Sequence, residues 1–251
     1  MHVLVTRIEP AASRLAEALR GDGHRVDTCP ALTIVPLDVP PAVLAAARQA
    51  DAWLFVSVPS VELGWPLLAP AVAPACYAVG PATAAALRAL GVVPELAPGS
   101  GAAEQLLTLS SLQHLHGRHL AVVRGRDGLD TLPTTLAARG ARVTLLEPYA
   151  REPLSAAQLR AAWRAPDCVV ASSGDGVRAL QAAADTADTA EVQEAVSAPA
   201  GGESLGAALR AARLLVPSAR VAALARSLGF TQVIVCDGAD DTAVRAALSG
   251  P

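Results

Sequence analysis

The chain has 251 residues, a formal net charge of −3 and an apolar fraction of 52%. Such a chain can bury the cores of one large domain or two ordinary ones. The slightly acidic balance argues against a nucleic-acid binder, and the apolar runs are too short and too often interrupted to span a membrane. We expect a cytoplasmic protein that begins as a mature chain, without a leader.

Short apolar runs alternate with helix-period segments along the chain, which is typical of an α/β protein with parallel sheets. The first unit reads HVLVTR, then a helix from about Pro10 to Arg20, then HRVDTC. Leu15 and Leu19 share one face of that helix, and Gly21 and Gly23 are predicted to end it. Further strands are predicted at DAWLFVSV, ACYAVG, HLAVVRG, DCVVA, RLLV and QVIVC.

The opening phrase occurs twice. VLVTRIEP at 3–10 and AVVRGRDG at 121–128 are apolar runs that end in an arginine, and each is followed by a helix and a Gly-x-Arg-Val strand. DAWLFVSVPSV likewise corresponds to DCVVASSGDGV, and YAVGPATAAALRALG to LLVPSARVAALARSLG. The sequence therefore predicts two similar, doubly wound parallel-sheet units.

Two proline-bearing segments, at 33–41 and 147–154, are predicted to connect the units, and the three prolines of the first make it a poor central strand. If both cross, the first βαβ unit stays with the C-terminal half of the chain. A simple split near residue 115 is the alternative, and the residues alone favour neither. A polar, alanine-rich stretch at 185–206 is predicted to be a surface insertion.

The cysteines and a cluster of three histidines are the residue types to examine for a metal site. The four cysteines are widely spaced, each in or beside a predicted strand, so we expect reduced, buried thiols. They are Cys29, Cys76, Cys168 and Cys236. Neither cysteine nor carboxylate accompanies His114, His116 and His119, so we expect a solvated turn there and no metal site.

Ligands of open parallel sheets bind at the carboxyl ends of the strands, where helix N-termini offer free N–H groups. Small hydroxyls, glycines and arginines occupy those ends here, and these residue types can hold anionic groups. The candidates are Thr6, Arg7, Ser57, Gly80, Thr83, Arg124, Gly125, Ser173, Ser218 and Arg220. A serine or threonine at such a junction also serves as an N-cap, which contributes about 1 kcal/mol.

No cofactor motif accompanies these candidates. The chain has no lysine, which excludes a P-loop lysine or a Schiff base, and ASSGDG is not a nucleophile elbow. The residues by themselves therefore predict a two-unit α/β protein that binds anions without a cofactor. They do not indicate which reaction, if any, it catalyses.

Six phrases follow one another along the chain: VLVTR, FVSVPSV, YAVGPATAAALRALG, VVRGRDGLDTLPTTLAARGARVTLLEPY, SSGDGV and VPSARVAALARSLGF. They cover nearly all of the chain outside 185–206, and in this order they resemble the uroporphyrinogen-III synthase family. The resemblance implies two similar α/β domains joined by a pair of connecting strands, with a cleft between them. Residues 1–34 with 152–251 form one domain, 42–146 form the other, and 35–41 and 147–151 connect them.

The resemblance also implies a lyase that acts on hydroxymethylbilane, a linear tetrapyrrole, without a cofactor. The terminal hydroxyl leaves as water, the last pyrrole ring is inverted through a spiro intermediate, and the macrocycle closes. Tyr149 matches a family tyrosine considered for assisting the leaving hydroxyl; the alternative is a tyrosine that packs at the linker. Ser57, Ser173 and Ser218 match cleft-facing hydroxyls, while Arg7, Arg124 and Gly80 match strand-end positions. Leu129 stands where an arginine is common.

Other classes stay open at this point. A non-catalytic, two-domain small-anion binding or sensor module is the main alternative, and a sugar-nucleotide transferase is weaker because no nucleotide-phosphate loop follows the strands. The synthase interpretation implies a small-molecule substrate, no nucleic acid, no membrane and a monomer. A transient contact with the enzyme that supplies the bilane is a further option.

Overall fold

The computed structural model describes residues 1–68, 72–97, 103–194 and 204–249, without the side chains of 190–194. The chain forms two compact units, Met1–Thr33 with Glu152–Pro251 and Ile34–Arg151, which we call the first and second unit. The assignment of residues 1–34 with 152–251 and of residues 42–146 to two domains, joined by 35–41 and 147–151, stays a prediction. No helix in the described residues is both long enough and apolar enough to cross a membrane.

The first unit is built on a five-stranded sheet with the order β11-β10-β9-β1-β2, and its strand pairs are parallel. The strands are β1 (His2–Val5), β2 (Arg25–Thr28), β9 (Cys168–Val170), β10 (Arg213–Val216) and β11 (Gln232–Val235). The helices are α1 (Ala11–Gly21), α7 (Ala156–Ala162), α8 (Gly174–Glu194), α9 (Leu205–Ala211), α10 (Ala219–Ser227) and α11 (Asp241–Ser249).

Alternate residues of these strands enter two cores, one on each face of the sheet. Leu4, Val169 and Leu214 lie in one core with residues of α7, α8, α9 and α10. Val3 and Val170 lie in the other core with residues of α1 and α11. Because successive side chains of a strand point to opposite faces, strands buried on both faces read as continuous apolar runs.

The second unit is built on a six-stranded sheet with the order β3-β8-β7-β4-β5-β6. The strands are β3 (Leu32–Pro36), β4 (Ala52–Phe55), β5 (Ala75–Ala78), β6 (Glu95–Leu96), β7 (His119–Gly125) and β8 (Arg142–Pro153). The helices are α2 (Pro41–Arg48), α3 (Val58–Leu68), α4 (Pro81–Ala89), α5 (Ala103–Leu106) and α6 (Thr131–Ala138), with a 3₁₀ turn at Ser110–Leu112.

Two cores again flank this sheet. Trp53, Phe55 and Val123 pack with residues of α2, α3 and α4, whereas Leu54 and Val122 pack with residues of α5 and α6. The proline-bearing segment at 33–41 begins within β3, an edge strand, where proline is tolerated because its missing N–H is not needed by a neighbour. The prediction of an α/β fold with two parallel-sheet units is confirmed.

The repeated sequence phrase is a repeated structure. β1, α1 and β2 form a parallel βαβ unit, and β7, α6 and β8 form another. In both copies a glycine follows the helix with a positive φ, +85° at Gly23 and +94° at Gly140. That left-handed conformation favours glycine and lets the chain turn from the helix into the next strand.

The prediction of a surface insertion at 185–206 is wrong at Ala187 and Leu205, which are buried in the core of the first unit, whereas Asp185, Thr186 and Thr189 are exposed. α8 continues to Glu194, and Ala187 is fully buried in the core of the first unit. Arg210 on α9 forms ion pairs with Asp185 and Asp188, which satisfies the charges that make this helix look like a polar loop. Residues 195–203 lie outside the described residues.

The cysteines are free and buried, as predicted. Burial raises the pKa of the Cys168 thiol to about 12 and that of Cys76 to about 11. The solvated histidine turn is confirmed for His114 and His116, which are exposed, and is wrong for His119, which begins β7 and is buried. No group of three or more His, Cys, Asp or Glu that could hold a metal occurs in the described ranges.

His119 is expected to make stability depend on pH. Its Nε2 lies 2.9 Å from Thr144 Oγ1, and its Nδ1 accepts a hydrogen bond from Arg142 at 2.7 Å. Burial and the Arg142 guanidinium lower the pKa of His119 from its ordinary value near 6.5. Just below that value the unfolded chain binds more protons than the folded one, so stability falls as the pH drops below about 6.5.

Urea unfolding between pH 7.5 and 5.5 checks this expectation. We expect His119→Gln to flatten the pH dependence, and His114→Gln, at the exposed histidine of the same turn, to leave it unchanged. An unchanged slope in His119→Gln would assign the pH dependence to another group.

Candidate functional site

Tyr149 and Ser57 form a hydrogen-bonded hydroxyl pair in the second unit. Tyr149 lies on β8, Ser57 lies between β4 and α3, and their oxygens are 2.8 Å apart. Tyr149 is 1% exposed, whereas Ser57 is half-buried. A buried phenol needs a partner for its hydroxyl, and Ser57 is that partner in the described structure.

The backbone of β7 allows this pair to form. Because β7 lies between β8 and β4, the Tyr149 ring must pass over Gly125, the last residue of β7. A Cβ atom on Gly125 would lie 2.6 Å from Tyr149 Cε2 and 2.9 Å from its Cζ. A register shift after Val123 places Tyr149 opposite Gly125, as a β-bulge does when it re-aims a side chain.

Ser57 is fixed by reciprocal bonds with Ser60 at the start of α3. The Ser57 amide donates to Ser60 Oγ at 3.0 Å, and the Ser60 amide donates to Ser57 Oγ at 3.2 Å. The Ser60 hydroxyl donates to the Ser57 carbonyl at 2.6 Å. This arrangement satisfies amides that a helix N-terminus leaves without intrahelical partners, so Ser57 caps α3, and its part in a substrate site stays a prediction.

Gly80 and Thr83 lie at the next strand end of the same unit. Gly80 is the N-cap of α4 in an extended conformation, with φ −137° and ψ 166°, and Thr83 is buried in the first turn of that helix. The Val79 amide donates to the Phe55 carbonyl at 3.0 Å, which continues the pairing of β4 and β5 up to this point.

The Arg124 guanidinium is engaged within the second unit. Its Nε donates to Glu147 Oε1 at 3.0 Å, and its Nη1 donates to Asp130 Oδ1 at 2.9 Å. The same Nη1 donates to the carbonyls of Gly128 and Leu129 at 3.0 and 3.1 Å. Arg124 therefore ties β8 and the loop before α6 to the end of β7.

Arg7 has a corresponding arrangement in the first unit. Its guanidinium is paired with Asp241 and donates to the carbonyls of Ala239 and Asp240. Its Nε is buried without a hydrogen-bond partner. Beside it, the buried Thr6 hydroxyl donates to the Val170 carbonyl at 2.8 Å, which joins β1 to β9.

The remaining candidates of the first unit lie at helix N-termini. Ser173 Oγ accepts from the Gly176 amide at 3.1 Å, and Ser218 Oγ accepts from the Val221 amide at 3.4 Å. Arg220 is exposed in the first turn of α10. Both serines are N-caps, and both stand at the carboxyl end of a strand.

The structure thus brings Ser57, Gly125 and Tyr149 together at the end of β7, where Arg124 also lies, and places the other candidates at other strand ends. Sequence reasoning missed the arginine partners Asp130, Glu147 and Asp241. The DGADD run at 237–241 stands at the start of α11, where Asp240 Oδ1 accepts a hydrogen bond from the Ala243 amide at 2.9 Å. Nothing in the local sequence signalled that Asp241 pairs with a residue more than two hundred positions away.

Parallel α/β units with hydroxyls, glycines and arginines at the carboxyl ends of their strands define a class of proteins that bind ligands at those ends. Within that class, the family model described as uroporphyrinogen-III synthase HemD matches residues 13–244. The chain belongs to the uroporphyrinogen-III synthase family.

Curated relatives agree with this assignment. The chain is 30% identical to the uroporphyrinogen-III synthase of Escherichia coli (strain K12) and 29% identical to that of Salmonella typhimurium (strain LT2). Each comparison covers 99% of this chain and 100% of the relative. The resemblance to this family that the ordered phrases predict is confirmed. The prediction that the protein is a lyase of this family is confirmed with it. The alternative of a non-catalytic anion-binding module is not favoured.

Solved structures share the fold. A mutant uroporphyrinogen III synthase from the extremely thermophilic bacterium Thermus thermophilus has a TM-score of 0.62 at 22% identity, over 99% of this chain and 98% of that one. The enzyme from Helicobacter pylori 26695 has a TM-score of 0.58 at 14% identity, with the same coverage. At these identities the likeness concerns the fold alone.

Proposed function

We propose that this member of the family closes hydroxymethylbilane to uroporphyrinogen III, with loss of water and inversion of the terminal pyrrole ring, at the strand-end groups described above. The observation that carries the proposal is the hydroxyl pair: a chain of this family holds the Tyr149 hydroxyl, on β8, 2.8 Å from Ser57 Oγ, which follows β4, across the carboxyl end of β7. A hydroxyl there can donate a hydrogen bond to a departing hydroxyl group.

The reaction requires little covalent chemistry from the protein. Departure of the terminal hydroxyl leaves a cation that the adjoining pyrrole nitrogen stabilises, and the terminal ring supplies the carbon nucleophile. The protein's tasks are to hold the bilane in a reactive geometry and to donate a hydrogen bond to the leaving oxygen. Water is the second product, so the atoms balance without any further reactant.

The substrate's acetate and propionate groups need donors, and strand ends supply them. We assign Ser173, Ser218 and Arg220 in the first unit, and Gly80 and Thr83 in the second, to this task. Amides at helix N-termini and nearby arginines attract carboxylates locally even when the net charge of the protein is negative.

Thr6, Gly125 and the two buried arginines have a different part in the proposal. Since Arg7 and Arg124 already hold acidic side chains and carbonyls, they act by fixing the loops that present the donors. Thr6 fixes the end of β1 in the same way, and Gly125 makes room for Tyr149.

Product analysis tests the reaction. Freshly prepared hydroxymethylbilane is given to the purified protein, the products are oxidised, and the type III and type I isomers are separated. We expect mainly type III isomer without an added cofactor. Since the bilane closes by itself to type I, type III product reports ring inversion by the protein. A product mixture identical to that of the protein-free blank, from a folded sample, would falsify the proposed function.

A negative charge introduced at position 218 tests whether Ser218 binds a substrate carboxylate. Ser218→Asp keeps an N-cap oxygen but places a negative charge at the strand end, so we expect KM to rise about 10-fold through repulsion between like charges. Ser218→Ala loses the cap, about 1 kcal/mol of stability, and we expect it to raise KM less. Steady-state kinetics and thermal unfolding separate the two effects.

Ser155→Asp is the matched control, because Ser155 caps α7 through a capping box in the same unit without being a strand-end candidate. We expect its KM to match the wild type. A wild-type KM in Ser218→Asp would place the substrate carboxylates elsewhere.

We further propose that the enzyme is a cytoplasmic monomer. Four free cysteines, all buried, suit a reducing compartment. Light scattering of the purified protein at working concentration tests the oligomeric state, and a dimer mass would contradict it. A transient contact with the enzyme that supplies the bilane stays a prediction.

A further inference from the structure

We infer that Ser57, and not Tyr149, is the hydroxyl that contacts the substrate, and that Tyr149 is a positioning residue that acts through Ser57. The inference rests on the proposed function, and it deepens it by assigning an order to the two hydroxyls. The Tyr149 hydroxyl donates a hydrogen bond to Ser57 Oγ, and the Ser57 hydroxyl donates a hydrogen bond to the leaving hydroxyl of the bilane.

Burial indicates which of the two hydroxyls an approaching substrate meets first. Tyr149 is 1% exposed and its ring lies over Gly125, whereas Ser57 is half-buried at the start of α3. A ligand that approaches the strand ends therefore meets the serine oxygen first, and the phenol lies behind it. Direct contact with Tyr149 would require the ring to leave its place over Gly125.

The donors and acceptors around the pair agree with this order. Ser57 Oγ accepts a hydrogen bond from the Ser60 amide at 3.2 Å. The Ser60 hydroxyl donates its proton to the Ser57 carbonyl, so it does not donate to Ser57 Oγ. The two hydroxyls of the pair have two protons and share one hydrogen bond, so one proton is left to donate. If Ser57 donated to Tyr149, that proton would be on a phenol that is almost fully buried, which is unfavourable.

When Tyr149 donates, the spare proton is on Ser57. A serine oxygen that accepts two hydrogen bonds, from Ser60 and from Tyr149, is also a better donor, because consecutive hydrogen bonds polarise one another. The pair then presents one directed O–H at the end of β4, held in place from two sides.

A double-mutant cycle on kcat and KM tests the order, with wild type, Ser57→Ala, Tyr149→Phe and the double variant assayed for type III product. We expect Ser57→Ala to lower kcat about 100-fold with KM within about threefold of wild type, as for loss of a donor to a leaving group. Tyr149→Phe should lower kcat about 10-fold, and the double variant should match Ser57→Ala, because Tyr149 has no route to the substrate once Ser57 Oγ is gone.

Two further variants separate the hydroxyl from the helix cap. Ser57→Thr keeps both, and we expect kcat within about threefold of wild type. Ser155→Ala removes a cap oxygen of the same kind from α7, and we expect it to lower Tm while leaving kcat unchanged. A Ser57→Ala variant with wild-type kcat would overturn the inference.

Losses that multiply in the double variant would overturn the order while leaving the proposed function intact, since each hydroxyl would then act independently. A wild-type protein that produces only type I isomer would overturn both the inference and the function on which it rests. Type III product together with a double variant that matches Ser57→Ala, the larger of the two single losses, supports both. A larger loss in Tyr149→Phe, matched by the double variant, would overturn the order.

Discussion

Replacing Gly125 with alanine is expected to lower kcat for type III product about 10-fold, as much as loss of the Tyr149 hydroxyl in Tyr149→Phe. The added Cβ would lie 2.6 Å from Tyr149 Cε2, well inside van der Waals contact, so the ring must move away from β7. A ring that moves this far cannot keep its 2.8 Å hydrogen bond to Ser57. Overpacking of this kind also costs about 1–3 kcal/mol of stability.

Kinetics and urea unfolding of Gly125→Ala measure the two effects. Gly21→Ala is the matched control, because a Cβ at Gly21, the last residue of α1, meets nothing within 4 Å. We expect the control to keep the wild-type kcat and to gain up to about 1 kcal/mol of stability from helix propensity. If Gly125→Ala lost stability but kept its kcat, the position of the Tyr149 ring would not matter for the reaction.

Gly125 illustrates how far the sequence predicts the site. Its place at a strand end after an apolar run is local information, and the sequence predicts it correctly. Its contact with the Tyr149 ring depends on a register shift between β7 and β8, which arises only when the sheet is assembled. A glycine that suggests room for a ligand here makes room for a side chain of the same unit.

The fold was more predictable than these contacts, because strand periodicity is written locally. Buried residues such as Leu4 and Val169 stand in short apolar runs, and Gly23 and Gly140 mark the helix ends. The continuation of α8 past residue 185 was missed because alanine and aspartate there lack an apolar stripe. Its support comes from Arg210 on another helix, which no local pattern contains.

Arg124→Ala is expected to lower the free energy of unfolding by about 3 kcal/mol. The side chain is 8% exposed, and its loss leaves Glu147 and the carbonyls of Gly128 and Leu129 without their donor. Asp130 contributes little to this loss, because it is 75% exposed and water replaces the guanidinium. We therefore expect Asp130→Asn to change stability by less than about 0.5 kcal/mol.

A paired variant then separates stability from substrate binding. Arg124→Met with Glu147→Met removes both members of the more buried ion pair and fills their space, so we expect part of the lost stability to return, because the charge left without its partner, Asp130, is exposed to water. Since the Arg124 guanidinium is engaged by its own unit, we also expect KM within about threefold of wild type in this variant. A KM that stays more than about 10-fold raised once stability has returned would show that Arg124 contacts a substrate carboxylate directly, and its assignment as a residue that fixes the loop would then be wrong.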